Sequence, residues 1–97
     1  MERKLSTILA SDVVGFSKMM AANEEQTLDL LRQRRQVIDG LIVEYSGSIF
    51  GSAGDSVIAE FPSPIKATEC AVQMQGKMQA MNEDVPEERQ MIFRVGI

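Results

Sequence analysis

A change of hydrophobic period near the middle of the chain limits its fold more than any other feature. Leu28, Leu31, Ile38, Leu41, Ile42 and Tyr45 recur at helical spacing, whereas the residues after Gly47 read as short strands. Periods of 3.6 and 2 do not fit one element, so a long amphipathic helix must give way to extended chain within a few residues. Asn23 is placed to cap this helix, with Gln26 at the reciprocal capping-box position, and Gly47 suits its C-terminal stop. Ser48-Ile49-Phe50 and Ser56-Val57-Ile58-Ala59-Glu60-Phe61 then flank Gly51-Ser52-Ala53-Gly54-Asp55, which predicts a hairpin with a glycine-rich turn.

The flanking segments complete the pattern. Leu5 to Ser11 is a short apolar run suited to a buried strand, ending at Asp12 with Gly15 just beyond. Ser63 as N-cap and Pro64 at the first helical position open a second helix, whose Ala67, Cys70, Ala71, Met74, Met78 and Met81 form one core stripe. Asn82 to Gln90 is polar, contains Pro86 and reads as a loop, and Met91 to Ile97 alternates as a last strand. Strand, helix, strand, strand, helix, strand is the α+β, ferredoxin-like split βαβ sandwich, an antiparallel sheet with its helices on one face, here a single domain over 1–97. In that topology the third strand lies between the first and second. The end of the first strand then meets the start of the third, and Asp12 and Asp55 share one edge of the sheet.

Charge and cysteine content narrow the function. The net charge of −4 and the lack of a basic stripe disfavour nucleic-acid binding by phosphate neutralisation. Arg32, Arg34 and Arg35 read as a solvated helix face. Cys70 is the only cysteine, so it has no internal partner, and a reducing compartment or an inert buried thiol follows; the cytoplasm is the simplest setting. No targeting segment and no membrane span are visible in the chain.

Two carboxylates on one sheet edge, in a chain without histidine, are hard oxygen donors suited to Mg²⁺ or Mn²⁺. Mg²⁺ takes few protein ligands and fills its shell with water and phosphate oxygens, so an aspartate pair suffices for a nucleotide-dependent site. Val14-Gly15-Phe16-Ser17-Lys18 adds a strand-to-helix junction where free N–H groups can face an anion. Separately, Asp12 and Gly54-Asp55 are ordinary turn chemistry. Their conjunction with the Gly15 junction is what points to function.

These residues carry a family resemblance. Lys4 to Ser17, Gly54 to Phe61, and Phe93-Arg94-Val95-Gly96-Ile97 resemble the class III adenylate/guanylate cyclase catalytic domain, in its N-terminal half. The resemblance implies a site for two ions, Mg²⁺ or Mn²⁺, with Asp12 and Asp55 binding both and the Val13 carbonyl adding a ligand. Backbone at Gly15, Phe16 and Ser17 holds the triphosphate, with Val14 and Gly54 in the same nucleotide-binding set. It further implies in-line attack of the ribose 3′-hydroxyl on the α-phosphorus, ATP favoured over GTP as substrate, and a homodimer as the working unit. Gly51 stands four before Asp55, where adenylate cyclases of the family carry a base-selecting Lys and guanylate cyclases a Glu. The family's Asn and Arg that orient ribose and stabilise the transition state are expected beyond Ile97, so the chain alone is expected to bind rather than to turn over.

Two other readings fit the same residues. One is a non-catalytic ferredoxin-like dimerisation domain with the aspartates as turn residues. The other is a palm-type polymerase or diguanylate cyclase; the missing Gly-Gly-Asp/Glu-Glu-Phe hairpin disfavours the latter, and the acidic balance the former.

Overall fold

The computed structural model describes residues 6–97 and contains the predicted elements in the predicted order, with a separate short helix added after the first strand and a 3-10 turn, Glu87–Arg89, inside the expected loop. Strand β1 spans Thr7–Val13, the short helix α1 Phe16–Ala22, the long helix α2 Glu24–Glu44, strands β2 and β3 Ser48–Ala53 and Ser56–Phe61, helix α3 Pro64–Asn82, and strand β4 Phe93–Gly96. Leu5, the expected start of the first strand, lies outside the described residues. The four strands form one antiparallel sheet in the order β2-β3-β1-β4, as the split βαβ topology requires.

Alternation along the strands decides which face the helices cover. Leu9, Ser11 and Val13 of β1 and Val57, Ala59 and Phe61 of β3 are buried, and they pack with Ile38, Leu41 and Ile42 of α2 and Ala67, Cys70, Met74 and Met78 of α3. Ile8 and Ile58 point the other way, to the uncovered face. The α3 stripe is core, as its spacing predicts, and the Cys70 thiol is fully buried, with desolvation pushing its pKa up to about 11. Such a thiol is inert at neutral pH.

The caps follow the sequence in part. Asn23 accepts from the Gln26 N–H at 3.0 Å, and Ser63 accepts from the Lys66 N–H at 3.2 Å. At the other end of α2 the stop differs from expectation. The Ser46 N–H reaches the Val43 carbonyl and the Gly47 N–H the Ile42 carbonyl, a Schellman arrangement whose left-handed residue is Ser46, at φ 67°. Gly47 is required for another reason: a Cβ there would lie 2.6 Å from the Phe61 ring and 2.8 Å from Ile42. The helix end is sealed by close packing onto β3, which only a bare backbone permits.

Three further readings are corrected. Arg32, Arg34 and Arg35 do not form one solvated face: Arg32 pairs with Asp29, Arg35 bridges Asp39 and the Ser52 hydroxyl, and Arg34 is buried. Arg34 occupies a core position of α2 and donates from Nη2 to the Met81 carbonyl, 3.3 Å away near the end of α3. Polar Thr27 and Arg34 complete the buried stripe with Leu31, Ile38, Leu41 and Ile42, while Leu28 stays at the surface. The β2–β3 turn is shorter than expected, only Gly54-Asp55, because β2 continues through Ala53 across a bulge between Ile49 and Gly51.

Candidate metal and nucleotide site

Asp12 is the penultimate residue of β1, and the strand alternation turns it to the uncovered face. Asp55 sits in the two-residue turn between β2 and β3, directly beyond the last β1–β3 pair, Ser11 with Val57. The turn is tight because Gly54 adopts φ 56°, open to glycine without strain. Asp55 Oδ2 accepts the Val13 backbone N–H at 2.9 Å, so the turn is tied to the end of β1 by the carboxylate itself. The two aspartates, 43 residues apart in sequence (55 less 12), thus meet at one end of the sheet.

Arg94 is the third group at this end. It faces Asp12 in the β1–β4 register, and its guanidinium takes both carboxylate oxygens, Nε to Oδ1 and Nη2 to Oδ2, each at 2.9 Å. The hydrogen-bonded guanidinium holds Asp12 below the usual carboxylate range against an opposing desolvation, and Asp12, with Asp55 adding its field, raises Arg94. The sequence reading gave Arg94 no role. A signal was present, since alternation in Phe93-Arg94-Val95 sends Arg94 to the face opposite the buried Phe93, and the topology puts β4 beside β1.

The remaining predicted residues lie just past β1. Val13 has its side chain in the core, leaving only backbone to face a ligand. Val14 is exposed and donates its N–H to the Ile92 carbonyl at 2.8 Å. Gly15 caps α1 at φ 67° with no side-chain acceptor for the first turn, and a Cβ there would meet nothing within 4 Å, so its need is conformational. Phe16 is half-buried against the core and anchors the junction, whereas Ser17 is exposed. A groove of about 330 Å³ runs over the uncovered face beside Asp12 and Arg94, floored by the small residues Ala10, Ser56 and Gly96 together with Ile58.

As a test of fit, two converging carboxylates with oxygen-only chemistry suit a hard divalent cation. Among the described residues no group of three or more His, Cys, Asp or Glu could hold a metal, so the aspartate pair would have to be completed by backbone, water or ligand oxygens. No described helix is long and apolar enough to cross a membrane.

No protein-family model matches the chain. It is 42% identical over 96 residues, 98% of its length, to "Putative adenylate cyclase 3" of Rhizobium meliloti (strain 1021), of which it spans 16%. A crystal structure of an adenylate/guanylate cyclase/hydrolase from Silicibacter pomeroyi superposes with a TM-score of 0.86 at 36% identity, over 98% of this chain and 56% of that one. The crystal structure of the guanylyl cyclase Cya2 matches with a TM-score of 0.81 at 25% identity, over 94% of this chain and 51% of that one. The chain therefore spans about half of these solved cyclases and a smaller part of the curated relative. Similarity in sequence and fold over nearly every residue places the chain in the class III adenylate/guanylate cyclase family.

Proposed function

We propose that this chain carries the metal- and triphosphate-binding part of a nucleotide cyclase site, with Asp12 and Asp55 as ligands to two Mg²⁺ or Mn²⁺ ions and the Val13 carbonyl beside them. The observation that carries the reading is the Asp55 carboxylate held on the Val13 N–H next to Asp12, two hard anionic donors fixed at the end of one strand. Bound there, the ions would neutralise the triphosphate and lower the pKa of the attacking hydroxyl. The chain's own residues do the positioning. The Gly15 turn leaves the first N–H groups of α1 without a side-chain cap, and Phe16 roots that turn in the core. Gly54 lets Asp55 sit at the tip of the turn, and Val14 stays free of the core.

ATP is the proposed substrate. The support is the 42% identity to a relative named for adenylate cyclase. Gly51 offers no side chain to read the purine, and it is paired with Ile58 inside the hairpin. The proposed working unit is a homodimer that closes over the uncovered sheet face, where Ile8 and Ile58 are exposed.

Thermal unfolding with and without Mn²⁺ and a non-cyclisable ATP analogue tests the reading, because a ligand bound only by the folded state raises stability. Asp55→Asn retains an acceptor for the Val13 N–H but removes the charge. The wild type is expected to gain stability with metal and analogue together, with a smaller gain for the GTP analogue, and Asp55→Asn to gain none. Equal gains in both proteins would remove Asp55 from the site, and no gain in either would favour a non-catalytic interaction domain.

A further inference from the structure

Asp12 is not a bare carboxylate in this fold. Arg94 stands opposite it in the β1–β4 ladder, and the planar fork of the guanidinium occupies both oxygens at 2.9 Å. Asp55 has one oxygen on the Val13 N–H and also contributes to the negative field at Arg94. A divalent cation entering between the aspartates therefore meets a cation already in place. The two compete for Asp12, because both draw on the same oxygens and repel each other at contact distance.

We propose that Arg94 is the resident counter-cation of the aspartate pair, and that a divalent ion binds by exchange, displacing the guanidinium from Asp12. This rests on the reading of Asp12 and Asp55 as metal ligands. The geometry favours exchange over a permanent block. The Arg94 side chain is 70% exposed, on an edge strand, so it can swing into solvent without opening the core. An ion pair this accessible adds little to stability, and the fold survives its loss. Metal affinity is correspondingly weaker than two bare carboxylates would give, and Arg94 sets by how much.

The test is Mn²⁺ binding to the 97-residue chain, followed by the electron paramagnetic resonance signal of free Mn²⁺, for wild type, Arg94→Gln, Arg94→Lys and Asp12→Asn. Circular dichroism verifies that each is folded. Arg94→Gln is expected to bind Mn²⁺ about tenfold more tightly, since a unit positive charge beside a divalent ion is removed. Arg94→Lys, which keeps the charge but not the fork, should fall between the two. With Mg²⁺ as a diamagnetic probe, the Arg94 Nε–H of the wild type should exchange faster with solvent as the ion binds. Equal or weaker Mn²⁺ binding by Arg94→Gln, with Asp12→Asn still abolishing binding, would overturn the exchange and leave the metal site standing. If neither the wild type nor Arg94→Gln binds Mn²⁺, the metal reading fails and the exchange fails with it.

Discussion

At the scale of single residues, the end of α2 separates two uses of a small residue that sequence alone merges. Ser46 carries the left-handed conformation, which costs a side chain with a Cβ about 1 kcal/mol relative to glycine. Gly47 carries the close approach to Phe61 and Ile42. Ser46→Gly is therefore expected to stabilise the protein by about 0.5–1 kcal/mol in urea unfolding, offset in part by the greater freedom of the unfolded chain. Gly47→Ala should destabilise it by about 1–3 kcal/mol through overpacking. A loss of stability in Ser46→Gly would remove the Schellman assignment. Arg34 shows the same limit of residue-type reasoning. Its charge argues for the surface, but its place in the α2 stripe and the carbonyl acceptor at Met81 bury it.

Among elements, the junction of α3 and β4 is held by side-chain amides, the central one from a residue that reads as the first of a loop. Asn82 ends α3, is buried, donates from Nδ2 to the Met91 carbonyl at 2.8 Å and accepts the Met91 N–H at 3.2 Å. It thereby mimics a strand neighbour for Met91, and Gln75 donates to the Phe93 carbonyl at 2.9 Å one step along. These amides set β4 against α3, and so bring Arg94 to Asp12. Asn82→Leu, similar in volume, strands two buried backbone groups and is expected to cost about 2–4 kcal/mol. Hydrogen exchange should show faster amides from Met91 through Arg94, with β1–β3 pairing unchanged. Protection of β4 at wild-type level would show that the clamp is dispensable.

For the whole molecule, two long helices cover one face of a four-stranded sheet and leave the other to solvent. Ile8 of β1 and Ile58 of β3 are exposed on that open face, and apolar residues left bare on one face mark a candidate interaction surface. If a second copy covers this face, light scattering across concentrations should give a mass rising toward twice that of the chain, and Ile58→Lys should hold it at the monomer. A monomer at every concentration in the wild type would end the homodimer proposal.

The order of elements, both N-caps, the α3 stripe and the meeting of Asp12 with Asp55 could all be read from the chain. They depend on local periodicity, on capping chemistry and on a topology that those periods nearly dictate. What the chain could not display was any interaction between residues distant in sequence whose chemistry is locally ambiguous. A polar residue on a helical stripe can be solvated or buried, so Arg34 and Thr27 were invisible as core, and a loop asparagine gives no sign that it faces a strand end. Arg94 was legible as a residue of an alternating strand. Its bidentate hold on Asp12 follows only from the β1–β4 register, and register is a property of the folded sheet.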